Sequence, residues 1–153
     1  MSVLLEVKNL KTQFTTEQGL VKAVDGVSYQ IDEREIVGLV GESGCGKSVS
    51  QLSIMQLIPT PPGKIADGQV LFEGQDLLEF EKNGPAMRDI RGGKIAMIFQ
   101  EPKTSLNPTM TIGRQISEAM ELHLGLDGQA SSIKSIELLG LVGIPAAEAR
   151  LED

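Results

Sequence analysis

The stretch "GLVGESGCGKSVSQL", Gly38 to Leu52, places four glycines within nine residues, ends that run on Lys47 and Ser48, and then becomes periodic. Working outward, "EIVGLV" before it is a continuous apolar run, the pattern of a central strand covered on both faces. After it, Val49, Leu52, Met55 and Ile58 recur every third residue, flanked by Ile54 and Leu57, which predicts a helix. "PTPP", Pro59 to Pro62, is expected to stop that helix by removing donors and clashing with the preceding turn. The order is therefore strand, glycine loop, helix.

In that setting Gly41, Glu42, Ser43, Gly44, Cys45, Gly46, Lys47 and Ser48 match G-x-x-x-x-G-K-[ST], the phosphate-binding loop. Glycines allow successive backbone N–H groups to converge on an anion, and the helix N-terminus adds partial positive charge. Lys47 is expected to reach the terminal phosphates of a nucleotide, and Ser48 to offer its hydroxyl to Mg²⁺. Val49 closes the nucleotide-binding set and stands where a dinucleotide G-x-G-x-x-G motif requires its third glycine, which removes that reading. The bland alternative is a glycine-rich turn with an exposed lysine. Cys45 occupies a variable position and reads as a small filler.

The rest of the chain bounds the class. At 153 residues it fits one domain or part of one. A formal net charge of -7 and the absence of a basic cluster argue against nucleic acid, whose binding depends on Lys and Arg neutralising phosphates. The single cysteine cannot form an internal disulfide and suits a reducing cytosol. The apolar runs Ile36–Val40 and Ile95–Phe99 fall far short of the roughly 20 residues of a bilayer span, and "MSVLLEVKN" lacks the basic start of an export signal. A cytoplasmic chain is expected. Val3–Val7 reads as a short strand, and Val27, Tyr29 and Ile31 alternate with polar residues as a half-buried antiparallel strand does. The segment "EFEKNGPAMRDIRGG" reads as solvated helix and loop.

Beyond Pro108 the pattern is helical: Ile112, Ile116, Ala119 and Met120 form a stripe, Thr111 can cap its start, and "GLDG" at Gly125–Gly128 breaks it. Ile133, Ile136 and Leu139 predict a second helix ending near "VGIP". His123, at the edge of the first stripe, reads as packing and receives no role.

"GKIAMIFQEPKTSLNPTMTIGRQI", together with "GESGCGKS", "LLEVKNLKTQF" and "VKAVDGVSYQI", resembles the ATP-binding subunits of ABC transporters, most closely the oligopeptide, dipeptide and nickel import group, along the whole chain. The resemblance implies an α/β fold of the ABC ATPase type. Its parts would be an antiparallel β subdomain, a partial parallel core around Ile36–Val40 and Ile95–Phe99, and the start of a helical subdomain. Residues 1–153 would be the N-terminal part of one ATPase domain, with about 1–110 as nucleotide-binding core and about 111–153 as the beginning of the helical part. It also implies that Phe14 stacks on adenine, with a core phenylalanine as the competing reading. Gln100 would touch Mg²⁺ and the attacking water and relay nucleotide state, joining Lys47 as a catalytic residue. ATP and Mg²⁺ are the implied cofactors. Transmembrane permease subunits and a second ATPase subunit are the implied partners, with a solute-binding protein engaged indirectly, and the implied place is the inner face of the cell membrane.

The family's signature, its apolar strand ending in Asp-Glu and its switch histidine are not in the sequence. "IAMIFQE" is the only internal substitute for the metal-anchoring strand, and it ends in Gln100 and Glu101 where a carboxylate is normally required. A truncated fold is therefore expected, self-associating or loosely held at its C-terminal end, and binding ATP without turning it over. Two alternatives remain. A complete small kinase or GTPase would show a strand-ending Asp, lid arginines or Asn-Lys-x-Asp, which "SLNPTM" does not supply. A non-catalytic interaction module would differ in nucleotide affinity.

Overall fold

The structure, a computed structural model, describes residues 2–100 and 105–153. It divides into two compact units, Met1–Arg88 and Asp89–Asp153.

The first unit is built on one antiparallel sheet in the order β2-β1-β3-β4. Its strands are β1 (Val3–Thr16), β2 (Gly19–Asp32), β3 (Gly63–Phe72) and β4 (Gln75–Asp76). β1 is far longer than the Val3–Val7 expected, and its own burial pattern explains why. Leu5 and Val7 face the core, then Leu10 and Thr12 do, so the alternation changes phase between them. The break is a bulge at Asn9, whose φ is 48°, opposite Gly68 with φ 105°. A Cβ at Gly68 would lie 2.6 Å from Leu10 Cα and 2.7 Å from the Asn9 carbonyl oxygen, so only glycine lets β3 cross there. β2 changes phase in the same way at Gly26, φ 84°, between buried Val24 and half-buried Val27.

Helix α1 (Lys47–Ile54) packs on β1 and β2, with Val49 and Leu52 of the predicted stripe only half-buried and the flanking Ile54 buried. Its buried residues are Ser50, Ser53 and Ile54, and small side chains let it approach the strands closely. The Ser53 hydroxyl donates to the Val49 carbonyl at 2.7 Å, so Thr12 is the donor in the buried 2.7 Å bond between Thr12 and Ser53. The helix ends at Ile54, before the prolines, because Gln56 adopts φ 50°. Met55 and Ile58 are still buried, beyond its end. A 3₁₀ turn at Leu77–Glu79 follows β4, capped by Asp76, whose side chain accepts from Leu78 N. Helix α2 (Pro85–Ile90) corrects the solvated reading of its segment, since Met87 and Ile90 are buried.

The parallel part of the expected fold is not formed among the described residues. Ile36–Val40 makes no ladder, and Ile36 and Val40 are 98% and 93% exposed. In Lys94–Phe99 the one pairing is a parallel bridge between Arg91 and Ile95, and Ile98 is 99% exposed. A strand that is apolar on both faces requires flanking strands and covering helices, and the described residues supply neither to these segments.

The second unit contains α3 (Ile112–Leu124), α4 (Gly128–Leu141) and the short α5 (Ala147–Arg150). Thr111 caps α3 as predicted, accepting from Arg114 N at 3.2 Å, and Gly125 ends it at φ 65°. Asp127 caps α4 through Ala130 N at 2.8 Å. The predicted stripes are met in part, with Ile112, Ile116, Ile136 and Leu139 half-buried. Ser117 and Met120 are buried on α3, Ser131 and Ser135 on α4, while Ile133 is exposed and Ala119 lies outward. Here too small residues occupy the contact between packed helices.

The C-terminal residues return to the start of α3. Ile112 N donates to the Asp153 carbonyl and Gly113 N to the Leu151 carbonyl, both at 2.9 Å, and Leu151 is buried. First-turn amides of a helix lack intrahelical acceptors, and these carbonyls supply them. Thr111→Ala is expected to cost about 1 kcal/mol of stability by removing the α3 cap. Urea denaturation measures this, and an unchanged midpoint would show that the cap contributes nothing.

Candidate functional site

Gly41–Ser48 lies between the run Ile36–Val40, which belongs to no helix or strand, and α1. Gly46 is the N-cap of α1, left-handed at φ 94°, with no side-chain cap. A Cβ there would run into the Ala23 carbonyl of β2, so the glycine fixes where the helix begins against the sheet. Gly44, at φ 80°, turns in open space. A Cβ at Gly41 would lie 2.6 Å from Cys45 Sγ and 3.9 Å from Lys47 Nζ, filling the concavity of the loop.

Lys47 is the first residue of α1, and its ammonium folds back into that concavity. It donates to the Gly41 and Glu42 carbonyls, each at 2.6 Å, and approaches Cys45 Sγ at 3.5 Å. A cation is thus held inside a curved backbone whose helical end presents first-turn N–H groups. That arrangement suits an anion, which would draw the ammonium from the two carbonyls. A hollow of about 140 Å³ adjoins the loop, walled by Val24, Val27, Leu39 and Val40 beside Cys45 and Lys47.

The other predicted residues fall as follows. Glu42 and Ser43 are exposed in the turn, Ser48 is exposed in the first turn of α1, and Val49 is half-buried on it. Phe14 is half-buried near the end of β1, paired with Val21 and Gly63, with its Cε1 2.8 Å from where a Gly63 Cβ would be. Those described neighbours are sheet residues and none belongs to the loop. Gln100 is an exposed residue at a bend in the second unit, following residues 96–99, which belong to no strand although one was expected there. Glu101 lies outside the described residues. Among the described residues no three His, Cys, Asp or Glu side chains gather into a metal site.

Sequence reasoning missed the backing of Gly46 by the Ala23 carbonyl, for which β2 carried no signal. It also passed over Gly92–Gly93, since the His123 ring that meets them comes 30 residues later in the sequence and left no local signal. A second hollow, about 390 Å³ and lined in part by Gln56, Ile58, Lys64 and Lys82, shares no residue with the loop. Its polar groups are partly engaged: Gln56 Nε2 donates to the Leu77 and Phe80 carbonyls, and Lys82 Nζ to that of Ile58.

A sequence profile described as "ABC transporter" matches residues 24–152. The chain is similar to the oligopeptide transport ATP-binding protein OppD of Bacillus subtilis, 48% identical over 97% of this chain and 41% of that one. It is also similar to the dipeptide transport ATP-binding protein DppD of Bacillus subtilis, 45% identical over 99% of this chain and 45% of the relative. The chain therefore spans less than half the length of these curated relatives. In fold it is similar to the dimeric structure of MJ0796, a bacterial ABC transporter cassette, with TM-score 0.79 and 21% identity over 97% of this chain and 61% of that chain.

Proposed function

The chain belongs to the ABC transporter family, and from that membership we propose that it is the N-terminal part of an ATP-binding subunit energising import of peptides or related solutes, nickel included. The observation that carries this reading is identity of 45% to 48% along nearly the whole chain to oligopeptide and dipeptide transport ATP-binding proteins.

In this reading the loop from Gly41 to Gly46 wraps the phosphates with its backbone N–H groups, and Val49 continues the helix that faces them. Lys47 leaves the Gly41 and Glu42 carbonyls to meet the terminal phosphates. Glycine curvature, the first-turn amides and the inward ammonium all fit a phosphate chain. The exposed Ser48 hydroxyl and Gln100 are the groups that would hold Mg²⁺, which when bound would offset the charge of the phosphates. Phe14 stacks on adenine and Gln100 orients water. The working assembly would join permease subunits and a second ATPase subunit at the inner face of the membrane, with a solute-binding protein engaged indirectly. Among the described residues no helix is long and apolar enough to cross a membrane, which fits a peripheral role.

Hydrolysis further requires a carboxylate near the attacking water and groups that meet the charge developing in the transition state. Lys47, Ser48 and Gln100 cover only the phosphate and metal side. The 153-residue chain is therefore expected to bind Mg-ATP and to release phosphate at least about a hundredfold more slowly than the same protein extended to the length of its relatives. A phosphate-release assay on both decides this. Equal rates, both lost on Lys47→Ala, would instead favour a complete small kinase or GTPase.

A further inference from the structure

His123 is the penultimate residue of α3, and its imidazole lies over the turn that precedes Gln100. A Cβ at Gly92 would be 2.6 Å from its Nε2, and one at Gly93 would be 3.1 Å from its Nδ1. The ring therefore rests on bare backbone, and the glycine pair makes the seat. Gly93 has no room for a side chain on any account, since its Cβ would also come 2.5 Å from the Asp89 carbonyl. Gly92 takes φ 84°, which glycine adopts without strain. Beneath the ring the turn closes on itself. Gly92 N donates to the Ile95 carbonyl at 2.9 Å, while Lys94 N and Ile95 N donate to the Ile90 carbonyl at 3.0 and 2.8 Å. Among the described residues the chain runs past Ile95 to Phe99 without ladder partners, with Ile98 fully open to solvent, and reaches Gln100 five residues on. Among the described residues the turn is thus the last element of regular structure before Gln100.

We propose that His123 is a positioning residue that latches the Gly92–Gly93 turn to α3 and thereby holds the segment from which Gln100 emerges. The role of Gln100 rests on the proposed ATP site; the latch itself does not. The chemistry needed is modest: a flat ring set against two glycines, whose contact holds the turn's amide bonds closed although the turn and the ring are both exposed. A ring of similar size should serve, whereas a methyl group leaves the turn uncovered. Packing of this kind also ties any displacement of α3 to the segment before Gln100.

The test is amide hydrogen exchange on the 153-residue chain, wild type against His123→Ala and His123→Phe, with and without Mg-ATP. In His123→Ala, exchange at Gly92, Lys94 and Ile95 is expected to rise about tenfold, with the α3 amides from Gln115 to Met120 unchanged. His123→Phe is expected to restore protection to within about twofold of wild type. Mg-ATP should protect the Gln100 amide in wild type and in His123→Phe but not in His123→Ala, with ATP affinity equal in all three. Unchanged exchange in the turn of His123→Ala would overturn the latch, as would an equal rise throughout α3, which would reduce His123 to a helix-stabilising residue. If Mg-ATP leaves the Gln100 amide unaffected in wild type while the turn still loosens in His123→Ala, the latch stands and the ATP role of Gln100 falls.

Discussion

Lys47→Ala is expected to weaken Mg-ATP binding by about 3 kcal/mol, roughly a hundredfold, while adenosine binding stays within about twofold. In the structure the Lys47 ammonium is enclosed by its own loop, 2.6 Å from two carbonyl oxygens. Those bonds hold the cation where a phosphate oxygen can replace them, so the variant loses a charge-assisted contact that backbone N–H groups alone do not restore. Adenosine carries no phosphate and never reaches this cation, which makes it the internal control. Isothermal calorimetry on both ligands measures the split. Equal affinity of wild type and variant for ATP would remove Lys47 from the site.

Gly46→Ala is expected to cost about 2–4 kcal/mol of stability and to abolish nucleotide binding even where the chain stays folded. A left-handed residue carrying a Cβ accounts for about 1–2 kcal/mol of that loss. The remainder comes from the collision with the Ala23 carbonyl, which cannot move without disturbing β2. Gly44→Ala separates the two effects. Gly44 shares the positive φ, at 80°, but a Cβ there meets nothing within 4 Å, so only the conformational cost of about 1–2 kcal/mol applies. Urea denaturation of the two variants side by side gives the difference. Equal losses would show that Ala23 does not set the position of the loop.

What could be read in advance follows from how local each signal is. The glycine loop ahead of α1 was legible because its glycines and Lys47 belong to one continuous stretch that ends where the helix begins. The Thr111 cap and the Gly125 stop were legible for the same reason. The length of β1 was not, because the bulge at Asn9 resets the alternation and its cause lies in Gly68, on another strand. Helix faces were misplaced where serines rather than isoleucines meet the neighbouring element: Ser53 on α1, Ser131 and Ser135 on α4. Apolar periodicity finds the greasy side of a helix, and these contacts select for small volume instead. Ile36–Val40 and Ile95–Phe99 carry the composition of buried strands, yet a strand is a property of its neighbours as well as of itself.

The most direct measurement of the central claim is the response of individual backbone amides to Mg-ATP by NMR. Binding at the loop predicts the largest shifts at Gly44, Gly46, Lys47 and Ser48, all lost in Lys47→Ala, with inorganic triphosphate reproducing most of them. Shifts centred instead on Gln56, Lys64 and Lys82, around the larger hollow, would contradict the assignment of the loop as the nucleotide site.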